Sequence, residues 1–301
     1  MVNATTHNCS ADRPQIWLKP LRTNIHNQDI PLLEQLRAGI RGVKINVHAH
    51  EGEALACHGL KTKHKRAISE RVCGWLGRFS DRCRSFFERI NPCSVDPATR
   101  PLEELLTEIK RYVDEAPRVV LTLFLEDHLH DFEDLQRIFK KTGLESELYV
   151  HSRFGSQWPN LGEMIGQHSR IVVFVDSDHN PDSKGRMLEE FPQFLSFKNN
   201  VWSTRHRFAN AGALENDQPF EEAPNREVRV FQHFTTRFLA GDPKDAAVVN
   251  SAEVLEKRLY RYVAKFGLFQ FLWVDFFEYP LDRRGVLQLV DEINDRAIVT
   301  D

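Results

Sequence analysis

The sequence predicts an α/β fold, a distorted (β/α)8 barrel of the triosephosphate isomerase type in a single domain. Three observations lead to this prediction. Short, nearly continuous apolar runs alternate with helical stretches, polar residues directly follow several of these runs, and a length of 301 residues suits one such barrel. Apolar strands that alternate with helices are typical of a parallel sheet covered on both faces. The number of repeats favours a closed barrel over an open sheet.

The elements are predicted in the following order. A helix beginning near residue 32 runs into a strand at 43–47, and a helix at 101–112 has apolar residues at the spacing of one helix face. Further strands are predicted at 119–125, 148–150, 171–175, 228–231 and 268–274, and further helices at 132–139, 251–266 and 285–293. The polar, turn-rich stretch at 203–225 predicts a long loop, one that could lie over the site.

Composition limits the classes of partner. The chain is 41% hydrophobic and 28% charged, with a formal net charge of -3, so its global charge predicts no nucleic-acid partner. No run approaches the roughly 18 apolar residues of a membrane-spanning helix. Residues 1–5 lack the basic and then apolar pattern of a signal peptide. We expect a secreted or peripheral membrane protein if a leader has been removed, and a cytoplasmic one otherwise.

All five cysteines fall in the first third of the chain, at Cys9, Cys57, Cys73, Cys83 and Cys93. Their number is odd and no C-x-x-C pattern occurs, which argues against a zinc site. Free thiols are therefore expected. One or two disulfides near residue 58 are the alternative, in a secreted form of the protein.

Two histidines carry the main functional hypothesis. His7 lies in T-T-H-N at 5–8, and His58 lies in A-C-H-G at 56–59. Two histidines at the ends of successive strands can act as a base and an acid on a phosphodiester, one taking the proton of the attacking hydroxyl and the other protonating the leaving oxygen. The alternative for each is a hydrogen-bonded structural histidine.

Several further segments, taken with these two, resemble one known family. They are Q-L-R-A-G-I-R at 35–41, P-L-E-E-L-L-T-E-I at 101–109, P-R-V-V-L-T-L-F-L-E-D at 117–127, W-P-N-L-G-E-M-I at 158–165, R-I-V-V-F-V-D at 170–176 and V-D-F-F-E at 274–278. In this order they resemble the phosphatidylinositol-specific phospholipase C X-domain superfamily, and among its members the bacterial and fungal phospholipase-C-like phosphodiesterases. The resemblance implies a distorted barrel that cleaves a phospholipid or another phosphodiester.

The resemblance also implies catalytic roles. His7 matches the general base of the family, His58 matches the general acid, and Asp275 matches the carboxylate that orients the base. The attacking group would be the inositol 2-hydroxyl, which gives a cyclic phosphate. A carboxylate on one imidazole nitrogen fixes the tautomer and makes the other nitrogen more basic. For Asp275 alone, the alternative is a helix N-cap.

The charge-neutralising element departs from the family pattern. Calcium-dependent members use an asparagine and three carboxylates, which correspond to Asn8, Lys44, Asn46 and Glu126 in this chain. Calcium prefers several anionic oxygen ligands, so we expect no cofactor here. If a metal does bind, then Asn8, Asn46 and Glu126 would hold it. Calcium-independent bacterial members place an arginine at the position of Asn46, and this chain lacks that arginine as well.

Lys44 is the proposed replacement for the metal or the arginine. It shares a strand face with Asn46, because side chains along a strand alternate with period two. We predict that Lys44, Asn46 and Asn8 contact the phosphate. In the alternatives, Lys44 forms a structural ion pair with Glu126, and Asn8 caps a turn. Glu126 and His233 are further candidates for the pocket, although an ordinary structural role is favoured for His233.

A basic segment at about 60–93 forms an insertion in the predicted barrel. Residues 61–89 contain nine Lys or Arg and three acidic residues, and their apolar residues have helical spacing. A basic amphipathic helix suits an anionic membrane surface, with Trp75, Phe79, Arg78 and Arg82 as candidate contacts. The alternative is an ordinary helix packed on the barrel with a solvated basic face.

Three rival functions stay open. A metal-dependent hydrolase would use His48 and His50, an H-x-H pair at a strand end, with His128 and His130 as a second such pair. A metal-using glycerophosphodiesterase would require more carboxylates near His7 and His58 than the sequence offers. The non-enzymatic alternative is a barrel that has lost activity and binds phosphoinositides or a protein partner.

Overall fold

The computed structural model describes residues 1–6, 27–57, 93, 99–129, 131–176, 190–205, 208–236, 241–280 and 284–298. Its strands are β1 Asn3–Thr6, β2 Gly42–His50, β3 Glu53–Ala56, β4 Arg100–Pro101, β5 Leu121–His128, β6 Ile171–Asp176, β7 Phe194–Ser196, β8 Val201–Ser203, β9 Val228–His233 and β10 Phe271–Val274. Eight of them run parallel in the order β7-β6-β5-β2-β1-β10-β9-β8, and β3 and β4 extend β2 in antiparallel fashion. The predicted barrel is confirmed as a nearly closed parallel barrel of eight strands.

Along the chain the helices lie between these strands, and the last helix follows β10. They are α1 Leu32–Ala38, α2 Leu102–Glu115, α3 Phe132–Lys141, α4 Leu161–Gly166, α5 Phe197–Asn200, α6 Ala211–Glu215, α7 Pro243–Val249, α8 Ala252–Phe266 and α9 Val286–Ile298. Their ends follow local chemistry, because α4 begins at a capping box of Asn160 and Glu163, and α1 ends at Gly39 with a φ of 118°. Among the described helices, none has the length and hydropathy needed to cross a bilayer.

The barrel has two hydrophobic layers because side chains alternate along its strands. Along β5, Leu121, Leu123 and Leu125 face the surrounding helices, whereas Phe124 faces the barrel interior. Phe124 fills the centre of that interior. Its ring lies 5.4 Å from Phe174, 5.1 Å from Phe271 and 5.0 Å from Trp273. Aromatic pairs of this kind each contribute about 0.5–1.5 kcal/mol beyond the burial of their area.

A buried polar cluster spans the seam between the two ends of the sheet. Glu227, just before β9, accepts from Asn200 Nδ2 at 2.7 Å and lies 3.1 Å from His151 Nε2. The other ring nitrogen of His151 lies 2.9 Å from the Tyr149 hydroxyl. Burial, together with the charge of Glu227, raises the pKa of Tyr149. Since Tyr149 N donates to Ile171 O at the start of β6, the cluster joins the β6 side of the seam to the β8 and β9 side.

The stretch at 203–225 is not simply a loop over the site. It contains α6, and its residue Asp217 is buried against α8. Arg258 Nη2 donates to Asp217 Oδ2 at 2.8 Å, and the Tyr262 hydroxyl donates to the same oxygen. Burial and then the bond to Asp217 raise the pKa of Tyr262, while burial lowers the pKa of Arg258. The prediction missed this anchor because Asp217 pairs with residues 41 and 45 positions away.

The expectation of free thiols is wrong for two of the five cysteines. Cys57 and Cys93 form a disulfide, with their Cα atoms 5.6 Å apart and a sequence separation of 36 residues. Cys57 directly follows β3, and its amide donates to the main-chain oxygen of Asn46 at 3.1 Å. The bond therefore joins the two ends of the basic insertion to the edge of the barrel.

We predict that replacing both Cys57 and Cys93 by serine lowers the free energy of unfolding by about 4 kcal/mol, because the open chain regains the entropy of a loop of this length. Denaturant titration of the double variant beside the wild type measures the loss. After its Cys57–Cys93 disulfide has been reduced, the wild type should unfold at the same denaturant midpoint as the double variant. Equal midpoints for the oxidised wild type and the double variant would contradict the prediction.

Candidate active site

Polar side chains collect where the parallel strands end, at the carboxyl edge of the barrel. Asn46 on β2 pairs in register with Glu126 on β5, and Glu126 pairs with Asp176 on β6. Register partners on parallel strands lie side by side and project to the same face. These three residues share the face of Phe124, and so they face the barrel interior. This is the edge at which barrels of this type hold their active sites.

A charged network occupies the interior at β2 and β5. Lys44 Nζ lies 2.6 Å from Glu126 Oε2, and His128 Nε2 lies 3.3 Å from Glu126 Oε1. The ring of His128 stacks on His48 with centroids 4.6 Å apart. Of the two alternatives for Lys44, the structure shows the ion pair with Glu126. A contact between Lys44 and phosphate stays a prediction, since the lysine side chain keeps 16% of its surface exposed.

Asn46 lies one step further along the same face. It is 4% exposed, and its main-chain oxygen accepts from Cys57 N. This bond sets the end of β3 beside β2, so the chain leaves Cys57 toward His58 from a fixed point. Lys44 pairs in register with Phe124 and Asn46 pairs with Glu126, which confirms that the two residues share a face, and the Lys44 side chain bonds to Glu126 on the neighbouring strand β5.

The carboxylate of Asp275 is buried just beyond β10. Asn27 Nδ2 donates to Asp275 Oδ2 at 2.7 Å, and Asn250 Nδ2 donates to the main-chain oxygen of Asp275 at 2.9 Å. Gly241 packs so closely that a Cβ there would lie 2.7 Å from the same Oδ2. None of the described helices begins at Asp275, so it does not serve as the helix N-cap considered as an alternative.

His233 does not line the barrel interior, which corrects its assignment as a pocket candidate. It ends β9 on the outer face of the sheet, where its neighbour Phe231 packs among the helices. His233 Nε2 lies 2.8 Å from the main-chain oxygen of Val249, and its Nδ1 lies 3.3 Å from Arg258 Nη1. Burial, and then the charge of Arg258, lowers the pKa of His233 to about 3. His233 is a neutral structural histidine.

Several predicted site residues lie outside the described residues. They are His7, Asn8 and His58, together with the membrane-surface candidates Trp75, Phe79, Arg78 and Arg82. The structure describes the residues on either side of the two histidines. Thr6 comes directly before His7, and Cys57 comes directly before His58. Their roles stay predictions.

The described side chains do not suit a divalent metal. Of the metal candidates that the structure describes, Asn46 is neutral and Glu126 already has an ammonium group 2.6 Å from one of its oxygens. Within the described ranges, no group of three or more His, Cys, Asp or Glu side chains could hold a metal ion. His48 stacks on His128, and His50 lies 3.8 Å from Glu51, so these contacts give the metal-hydrolase alternative no support.

Sequence reasoning missed three residues around the site. Asn27 and Gly241 contact Asp275 from remote parts of the chain, and no local pattern marks them. The sequence marks His128 only as part of an H-x-H pair. Its position two residues beyond Glu126, on the same face of β5, was the signal that could have placed it beside that carboxylate.

Comparison with known proteins decides the family. A family model described as PI-PLC X 1 matches residues 90–258, more than half of the chain. The chain belongs to the PI-PLC X family. The matched residues include β5, β6 and β9, and with them the interior carboxylates Glu126 and Asp176.

The curated relatives are distant. A PI-PLC X domain-containing protein of Arabidopsis thaliana is 22% identical over 167 residues, which are 54% of this chain and 32% of that protein. PI-PLC X domain-containing protein 1 of Arthroderma benhamiae is 23% identical over 215 residues, which are 69% of this chain and 57% of that protein. The chain therefore spans less than two thirds of either relative.

Solved structures share the fold. The phosphatidylinositol-specific phospholipase C of Listeria monocytogenes has a TM-score of 0.57 at 13% identity, covering 98% of this chain and 94% of its own. A Staphylococcus aureus phosphatidylinositol-specific phospholipase C, studied for modulation of its membrane binding, has a TM-score of 0.54 at 14% identity, covering 97% and 91%. At these identities the likeness shows the barrel fold alone.

The burial of His233 predicts a pH-dependent stability. Its folded pKa of about 3 lies below the unfolded value near 6.5, so the unfolded chain takes up a proton first as the pH falls. The stabilisation is complete above about pH 6.5 and is lost as the pH falls toward 3, by about 1.4 kcal/mol per pH unit. Urea titrations at several pH values should show a shallower pH dependence for His233→Gln than for the wild type. Equal pH dependence of the unfolding free energy in the two proteins would contradict the burial of a neutral His233.

Proposed function

We propose that the protein is a phosphodiesterase of the phosphatidylinositol-specific phospholipase C type. It would cleave the headgroup phosphodiester of a phospholipid by general base and general acid catalysis, through a cyclic inositol phosphate and without calcium. Membership of the PI-PLC X family and the shared barrel support this class of chemistry. The phospholipase activities of the solved relatives belong to those proteins, and the activity of this chain is the proposal.

The register of β1 against β10 is the observation that carries the proposal. Thr6 pairs with Val274, so the chain continues into His7 and into Asp275 from neighbouring points on adjacent parallel strands. A buried carboxylate next to an imidazole stabilises the imidazolium that forms when the histidine accepts a proton. His7 is thus proposed as the base that takes the proton from the inositol 2-hydroxyl.

His58 is proposed as the acid. The inositol 2-oxygen forms a bond to phosphorus, the bond from phosphorus to the glycerol oxygen breaks, and that oxygen leaves with the proton of His58. The amide of Cys57 is bound to Asn46, which sets the start of this segment at the same edge of the barrel as Asp275. His7 and His58 would then both act at the carboxyl edge of the barrel.

Lys44 is proposed to contact the phosphate together with Asn46 and Asn8. Its ammonium is held inside the barrel by Glu126, so its position is fixed before substrate binds. A preorganised cation stabilises the charge that develops on the phosphoryl oxygens. Glu126 in turn directs the ammonium group along the inner face of the barrel.

A phospholipid at an anionic membrane surface is the proposed partner. The basic segment at 61–89 carries the charge that such a surface attracts, at about 1 kcal/mol for each basic residue near it. The Cys57–Cys93 disulfide fits an oxidising compartment, which supports a secreted location. A second candidate function is a phosphoinositide-binding barrel without activity, and the ion pair that occupies Lys44 favours that candidate.

The activity is tested by incubating the protein with phosphatidylinositol vesicles in excess chelator. Phosphorus NMR should show inositol 1,2-cyclic phosphate with the wild type and none with His7→Ala, because the base is removed. Product formed equally by the variant would reject His7 as the base. If neither protein gives product with chelator or with added calcium, while the vesicles still sediment the wild type, the binding candidate stands instead.

A set of variants separates the phosphate role of Lys44 from its ion pair. Lys44→Met alone removes one partner of a buried ion pair, a change that destabilises a fold by about 3–5 kcal/mol. Lys44→Met combined with Glu126→Gln removes both charges. We expect this double variant to stay folded and to lose about 10²–10³-fold in kcat, as for removal of one preorganised donor. Circular dichroism checks the fold. A double variant with wild-type kcat would show that the ion pair is purely structural.

A further inference from the structure

We infer that Asn27 is a positioning residue of the active site, which holds one oxygen of Asp275 and so fixes the oxygen that Asp275 presents to the base histidine. The inference rests on the proposed function. It assigns a task to a residue that lies 248 positions from its partner in the sequence. Asn27 would touch neither the substrate nor the reacting atoms, and would act through Asp275.

The contact is short and shielded from water. Asn27 Nδ2 lies 2.7 Å from Asp275 Oδ2, and the two residues are 1% and 3% exposed. Hydrogen bonds to an ionised carboxylate strengthen in such surroundings, because water does not compete for the oxygen. The amide is thus a fixed partner of this oxygen.

The main chain around Asn27 holds the amide in place. The main-chain oxygen of Asn27 accepts from Phe276 N at 2.8 Å, directly after Asp275 in the chain. This main-chain bond ties Asn27 to the residue next to its side-chain partner. The donor of Asn27 has little freedom to turn away from the carboxylate.

Gly241 closes the same side of the carboxylate. A Cβ at this position would lie 2.7 Å from Asp275 Oδ2 and 3.3 Å from Asp275 Cβ, so no side chain fits between them. Oδ2 thus has the Asn27 amide and the bare backbone of Gly241 against it, and the two set the orientation of the carboxylate.

The chemistry of an amide suits this task. Asn27 donates a hydrogen bond but carries no charge, so it orients the carboxylate and leaves its negative charge for the imidazolium. A lysine or arginine here would cancel that charge. Loss of the amide donor makes Asp275 more basic, which in turn makes the base histidine easier to protonate.

The test compares Asn27→Leu with Gln28→Met, each close in size to the residue it replaces. Gln28 is an equally buried amide on the same segment, and it bonds to the main chain rather than to Asp275. We expect Asn27→Leu to lower kcat about 10-fold or more with little change in KM, and to move the acid limb of the pH–rate profile upward. Gln28→Met should leave the limb in place.

A readout without turnover keeps the inference separate from the proposed function. The ring protons of His7, assigned by their absence in His7→Ala, are titrated by NMR in the wild type and both variants. We expect the pKa of His7 to rise by roughly half a unit or more in Asn27→Leu and to stay unchanged in Gln28→Met. An unchanged titration in Asn27→Leu would overturn the inference. A shifted titration in a protein that lacks phosphodiesterase activity would uphold the contact and reject the proposed function.

Discussion

The pairing of the four-residue strand β1 is the constraint on which the rest of the structure depends. β1 lies between β2 and β10 and joins the part of the sheet that runs to β7 to the part that runs to β8. Its register with β2 is held by size as well as by hydrogen bonds, since a Cβ at Gly42 would lie 2.3 Å from Thr5 Oγ1. With Gly42 and Thr5 side by side, a slip of the strand by one residue would drive a side chain into that space. The register in turn fixes the points from which the chain leaves toward His7 and Asp275.

Much of the fold could be predicted because apolar periodicity reports which face of an element is buried. The helix predicted at 101–112 forms at Leu102–Glu115, and the strand predicted at 171–175 forms at Ile171–Asp176. Periodicity carries no information about partners. The disulfide of Cys57, the bond from Arg258 to Asp217 and the position of His233 on the outer face all depend on which elements meet in space. The short strand β8 was missed for a related reason, since three residues are too few to show a period.

In the candidate site too, the sequence predicted which face a residue occupies but not which partner it contacts. Strand alternation predicted that Lys44 and Asn46 share one face of β2, and in the structure that face is the interior one, where Lys44 meets Glu126. Alternation alone could not decide whether the lysine meets the carboxylate or a phosphate, because both lie within its reach. The contact of Asn27 could not be predicted from the sequence. Asn27 follows no strand and belongs to no motif, and it meets Asp275 only because the end of β10 folds against it.

The Cys57–Cys93 disulfide gives the basic insertion an independence that its sequence does not suggest. The bond brings the Cα atoms of Cys57 and Cys93 within 5.6 Å, about the distance between neighbouring strands. The chain therefore enters and leaves this segment at one point, and changes of length or sequence beyond His58 would leave that point where it is. A protease cut within this segment would open the chain without parting it, since the two fragments stay joined through sulfur. Residues after His58 can thus diverge while the disulfide keeps the point from which the chain leaves toward the proposed acid.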